Sequence, residues 1–166
     1  MISAPLASGL FIAFLLAQRL VELVIARRNT ARLLARGARE VGAGHYPVMV
    51  MLHASWLAAI AWLGWGEPVL PGWLAAYIVL QLGRIWILAS LGGRWTTRVI
   101  VLDEPLVARG PYRLVRHPNY RLVVAEIVVA PMVLGLVEVA LVWSGLNALM
   151  LWWRIGVENR ALGLGG

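Results

Sequence analysis

Three long apolar runs, at residues 6–26, 47–66 and 71–90, decide what this chain can fold into. A helix needs about 20 apolar residues to cross a ~30 Å hydrocarbon core, and each run supplies that length. Runs this long exceed what a soluble domain buries, and 61% of the 166 residues are hydrophobic. Two further runs follow at 122–136 and 139–156, separated by a tight turn at 135–138. The first covers only ~22 Å at about 1.5 Å per residue, so the pair reads as a helical hairpin that starts or ends in protein at headgroup level. Pro131 is expected to kink its first helix. The expected fold is all-α: a polytopic membrane protein with about five transmembrane helices, the last two a hairpin. One domain is expected over 1–166, with three spans in 1–91 and a polar segment, the hairpin and a C-terminal motif in 92–166. The first run lacks a basic leader and is long enough to stay in the bilayer, so no cleaved signal peptide is expected.

The charge pattern orients these spans. Net charge is +7, and all fifteen cationic residues are arginine. In a soluble protein such a balance would point to nucleic acid. Beside apolar spans it points to orientation and anionic headgroups, so membrane lipids are the expected partner and nucleic acid is not. The loop after the first span and the stretch after the third carry nearly all loop arginines, and Arg154 and Arg160 lie on the same side. The turns at Glu67 and Glu138 carry none. The positive-inside rule then puts the N-terminus outside and the basic segments and C-terminus in the cytoplasm. Without cysteine or lysine, thiolate and Schiff-base chemistry are excluded.

Polar residues inside apolar runs need partners. Gln18, Arg19 and Glu22 lie one helical turn apart and should face protein. Glu126 is an acid inside an apolar run, and Arg84 is its natural buried partner; a structural pair and a catalytic role weigh about equally here. The loop at 27–46 should begin as an interfacial amphipathic piece, and 99–102 as a short extended one. Trp62 and Trp65 read as interfacial anchors, while Trp95, inside the basic stretch, is a candidate pocket-lining residue. His45 and His53 read as packing or interfacial residues, and three histidines so dispersed make no metal site.

The segment RGPYRLVRHPNYRLVVAE, residues 109–126, concentrates the candidate chemistry. Gly110-Pro111-Tyr112 is a tight turn whose glycine permits close approach of a ligand to the main chain. Pro118 opens a helix and leaves amides free at its N-terminus, where carboxylates bind. Arg116 can add a bidentate contact, and His117 can donate, accept or act as a base. Glu158 can accept from an amine or a ribose hydroxyl. The shared membrane side places His117, Tyr120, Glu126 and Glu158 near one another, in a pocket open to cytosol on one side and to lipid on the other.

The stretches LGGRWTTRVIV and LVARGPYRLVRHPNY, then a hairpin and RIGVENRAL, resemble the isoprenylcysteine carboxyl methyltransferase superfamily from about residue 91 to 162. QRLVELVIARRN and GAGHYPVMV look like one bacterial branch of it. The resemblance implies an integral membrane methyltransferase that uses S-adenosylmethionine. It implies cofactor contacts at Gly110, Pro111, Tyr112, Arg116, His117, Pro118 and Tyr120, with Arg154, Ile155, Glu158 and Asn159 in the closing C-terminal motif. Asn159 stands where the family carries a second acid, and Leu122 where a glycine often falls. Bacterial relatives of this shape resemble enzymes that O-methylate long-chain alkylpyrones or alkylresorcinols.

Methyl transfer from a sulfonium requires alignment in a dry site and the handling of one proton. Arg154, Glu158 and Glu126 are the expected catalytic residues, with Arg154 or Arg121 orienting an anionic acceptor. The expected function is methylation of an oxygen, carboxylate or enol or phenol hydroxyl, on a lipophilic small molecule such as an alkylpyrone, an alkylresorcinol or a prenylcysteine-like acceptor. The expected location is the bacterial plasma membrane. The competing reading is a non-catalytic lipid-binding or assembly protein that keeps the fold, with Asn159 as its support.

Overall fold

The computed structural model describes residues 3–105, 107–115 and 117–161, with side chains through Glu158. It is mostly helical, at 77%, and its five helices are α1 (Ala4–Ala35), α2 (Tyr46–Leu63), α3 (Pro71–Leu91), α4 (Pro118–Met132) and α5 (Val137–Ala161). Three segments, Ala4–Ala35, Ala43–Leu63 and Pro71–Arg94, are long and apolar enough to cross a membrane. The hairpin is formed by α4 and α5. With 15 residues, α4 spans only ~22 Å.

Two expectations are corrected. Residues 27–35 are not a separate interfacial piece but the last turns of α1. Arginine, alanine and leucine favour helix and nothing breaks the run before Gly37, which turns the chain at a φ of 88°. Nor does Pro131 kink α4: it lies in the last turn, one residue from the end at Met132. The chain then closes a Schellman turn, with Leu136 N–H donating to Pro131 O at 3.0 Å and Gly135 N–H to Met132 O at 3.1 Å. Gly135 takes the left-handed conformation that this turn demands, at a φ of 70°.

One core cluster joins all five helices. Phe11 and Leu15 of α1 meet Trp56 and Ile60 of α2, Tyr77 of α3, Ile127 of α4 and Val139 of α5. Outward-facing side chains such as Met51, Trp62, Leu82 and Trp152 remain exposed, as suits a surface whose surroundings are apolar.

The arginine-bearing connections gather at one end. Strand β1 (Arg39–Glu40) pairs antiparallel with β2 (Ile100–Val101), in the register Arg39 to Val101 and Glu40 to Ile100. The extended piece expected at 99–102 thus exists, and its partner strand was not foreseen. Asn29 of α1 donates to the carbonyls of Gly92 at 3.2 Å and Trp95 at 2.9 Å, fastening the post-α3 loop. Turns without arginine meet at the other end, where Leu70 N–H donates to Val133 O at 2.8 Å.

Candidate active site

His117 begins the site. It precedes α4 in a left-handed conformation, φ 51° and ψ 53°, and among the described residues no other non-glycine has a positive φ. That conformation costs on the order of 1–3 kcal/mol and collects at functional positions. The following Pro118 is buried as the first residue of α4. No side-chain cap is present among the described residues; Tyr120 and Arg121 N–H return to His117 O at 3.0 and 3.3 Å, which leaves the Asn119 N–H as the first-turn amide that can meet a ligand.

His117 stacks on Tyr120 with ring centroids 5.3 Å apart and an interplanar angle of 11°. Tyr120 O–H donates to Glu158 Oε2 on α5 and accepts from Arg154 Nε at 3.0 Å. The other Glu158 oxygen lies 3.7 Å from His117 Nδ1. Arg154 is buried, and its Nη1 donates to Thr97 O at 2.8 Å and contacts Met49 Sδ at 2.7 Å. Its Nη2 has no hydrogen-bond partner among the described residues. The result is a fixed carboxylate beside a fixed guanidinium, bridged by a phenol. It can hold a ligand that has both an ammonium and a carboxylate.

The Gly110–Arg113 3-10 turn packs on the end of α3, where Arg109 Nε donates to Ser90 O at 2.7 Å. A Cβ on Gly110 would lie 2.1 Å from Ser90 Oγ, so the bare Cα held for a ligand in the sequence reading is turned towards α3. Pro111 in the same turn is buried. Tyr112 packs against Ala26, Ile87, Trp95 and Leu122. Burial, reinforced by the charge of Glu158, pushes its hydroxyl up to about 12.

Glu126 lies elsewhere. It is about 9 Å along α4 from Tyr120, at 1.5 Å per residue, and it is 1% exposed. Arg84 engages both its oxygens, Arg19 Nη2 donates to it at 2.6 Å and Gln81 Nε2 at 3.2 Å. Glu22 completes the group, 2.8 Å from Arg19 and 3.4 Å from Arg84. The Arg84–Glu126 pairing inferred from sequence is present, and Arg19 is a second partner. Arg84 Nη1 also donates to Asn119 Oδ1 at 3.3 Å, which ties this group to the first turn of α4.

A cavity of about 210 Å³ connects the two clusters. Arg154, Tyr120, Thr97 and Tyr46 line one part; Arg19, Glu22 and Arg84 line another; Leu23, Val50, Leu57, Val123 and Leu151 supply apolar wall. Trp95, singled out in the sequence as a pocket residue, is in this wall. The structure thus unites Tyr112, His117, Tyr120, Arg154 and Glu158, and sets Glu126 apart. Arg116 and the Asn159 side chain lie outside the described residues. Thr97, Met49 and Tyr46 were missed, because nothing in an isolated threonine or methionine marks a contact to a residue more than fifty positions away.

Apolar helices long enough to cross a membrane, with a polar cluster at the end of a largely apolar cavity, mark a membrane protein. Residues 73–163 match the model of the isoprenylcysteine carboxyl methyltransferase (ICMT) family, and the chain belongs to that family. It is 36% identical over 168 residues to the uncharacterised protein YpbQ of Bacillus subtilis (strain 168), across 92% of this chain and 95% of that one. No solved structure matches. Family membership points to a membrane methyltransferase.

Proposed function

We propose that this protein is an S-adenosylmethionine-dependent O-methyltransferase that acts on a lipophilic small molecule, such as an alkylpyrone or alkylresorcinol, from the cytoplasmic face of a bacterial plasma membrane. The observation that carries the reading is the Arg154–Tyr120–Glu158 cluster at the mouth of a largely apolar cavity. Methyltransferases of this family generally use S-adenosylmethionine. The donor set fits it: Glu158 offers a carboxylate to an ammonium or ribose hydroxyl, and Arg154 Nη2 and the Asn119 N–H at the start of α4 offer donors to a carboxylate. When bound, that cofactor supplies an electrophilic methyl group.

The chain's own residues orient and exclude. Tyr120 fixes Glu158 and Arg154 relative to each other, so neither needs to reorganise on binding. The apolar wall keeps water from the reacting atoms. Five spans, with the N-terminus outside and a single domain over 1–166, complete the proposal. Both strands and the α4 N-terminus share the arginine-bearing end, which supports it.

The test is S-adenosylmethionine binding to purified protein in lipid nanodiscs, followed by labelled methyl transfer into an alkylpyrone, an alkylresorcinol and a farnesylcysteine analogue. Binding is expected for the wild type. His117→Ala should weaken it roughly two- to tenfold, through the loss of one hydrogen-bonding partner at a half-buried position. Absence of binding by folded wild-type protein would overturn the proposal.

A further inference from the structure

His53 points to the kind of oxygen that is methylated. It lies on α2 in the stripe Met49, His53, Trp56, Ile60, the face of that helix turned towards the bundle, and it lines the cavity. Its Nδ1 is 2.9 Å from Met49 O. A carbonyl oxygen only accepts, so Nδ1 carries the proton and Nε2 of the neutral ring is left as an acceptor. Nε2 has no hydrogen-bond partner among the described residues and is not sealed from its surroundings. The same methionine contacts Arg154 through Sδ at 2.7 Å, so His53 lies one helical turn deeper than the candidate active site.

Asn147 of α5 lines the same cavity. It is 2% exposed, and its amide can present both a donor and an acceptor to a ligand in the cavity. A carboxylate can take no hydrogen bond from an unprotonated Nε2, whereas a hydroxyl can donate to it. An acceptor nitrogen suits a ligand that brings its own O–H.

Resting on the methyltransferase reading above, we propose that His53 Nε2 accepts the hydroxyl proton of a phenolic or enolic acceptor, making this enzyme selective for hydroxyl over carboxylate oxygen. The step balances. The acceptor oxygen forms the new bond to the methyl carbon, the carbon–sulfur bond breaks with its electron pair going to sulfur, and the hydroxyl proton moves to Nε2. His53 then passes that proton to water on product release. Asn147 positions the ring by hydrogen bonding to a second oxygen of the acceptor.

The test uses pentadecylresorcinol and a farnesylcysteine analogue on full-length protein in nanodiscs. Equilibrium binding is measured without cofactor, and turnover with it. His53→Ala should weaken pentadecylresorcinol binding about tenfold and leave the farnesylcysteine analogue unaffected. His53→Gln keeps an acceptor oxygen but takes no proton, so it should restore binding while kcat stays about 10²-fold down. Wild-type turnover of pentadecylresorcinol by His53→Ala would overturn the role of His53 and leave the methyltransferase reading standing. Wild-type turnover of the farnesylcysteine analogue alone would overturn the hydroxyl preference. A wild type that binds and methylates neither compound overturns this inference, and if it also fails to bind S-adenosylmethionine the underlying reading falls too.

Discussion

Replacing Glu126 with alanine separates a structural carboxylate from a catalytic one. Its side chain is 1% exposed, and Arg84 beside it is 4% exposed, so neither charge is screened by water. Removing one partner of such a pair typically costs about 3–5 kcal/mol, because the remaining charge stays buried without compensation. Glu22 still lies 2.8 Å from Arg19 and 3.4 Å from Arg84 and supplies part of that compensation, which favours the low end, about 3 kcal/mol. For a chain of this size that corresponds to a fall in Tm of roughly 6–12 °C. The measurement is thermal unfolding followed by tryptophan fluorescence in nanodiscs, with turnover assayed at a temperature where both proteins are folded. Glu126→Ala should melt early yet keep wild-type turnover per folded molecule. Pairing Glu126→Leu with Arg84→Met should recover much of the loss, since well-packed apolar replacements of buried ion pairs are often neutral. An unchanged Tm together with collapsed turnover would refute the reasoning and make Glu126 a catalytic group.

At the candidate active site, Glu158→Gln should abolish most turnover, because an amide keeps a hydrogen-bond acceptor but loses the charge-assisted contact; Asn159→Glu should be tolerated, and methyl transfer in both variants checks this. Tyr112 should ionise late: its hydroxyl is raised from about 10 to about 12, so it contributes no pH dependence to stability below pH 10, and stability falls as pH rises towards 12. Absorbance titration of wild type against Tyr112→Phe measures it, and Glu158→Gln should shift the transition down by removing a negative charge. A reporter fused after Gly166 should read cytoplasmic and one inserted between Glu67 and Gly72 should read outside; the reverse at both would break the orientation argument.

The three long apolar helices were legible because apolar length is a strong signal, and so was the Arg84–Glu126 pair, because an acid inside an apolar run demands a cation. The exit of α1 was not. Arginines at 27, 28 and 32 read as loop when polarity is weighed, yet arginine is a good helix former and continued the helix to Ala35. The motif residues His117, Tyr120, Arg154 and Glu158 came from sequence to one place, since the hairpin brings the start of α4 beside the end of α5. The partners that fix Arg154 come from Met49 and Thr97, whose role depends on the register between α2, the post-α3 loop and α5. His53 was read as packing because a lone histidine in an apolar run usually is. Only the contact to Met49 O shows which of its nitrogens remains open.

Depth orders the arginines into three kinds of work. Arg27, Arg28 and Arg32 are exposed on the emergent turns of α1, where headgroup phosphates are the natural counter-charge. Arg36 and Arg94 meet Glu104, and Arg98 meets both oxygens of Glu40 at 2.8 Å, so the loops of this end are clasped by half-exposed pairs. Arg98 also lies 4.3 Å over the Tyr46 ring, which carries the clasp to the cavity wall. Most buried are Arg84 and Arg154, one bound to acids, the other to a phenol, a carbonyl and a thioether. The contrast matters for chemistry. A guanidinium with a carboxylate partner is neutralised and holds structure, whereas Arg154 is held by neutral acceptors, so its charge is left for a ligand. That difference in partners, rather than burial, favours Arg154 over Arg84 as the arginine that meets an anionic group of a ligand.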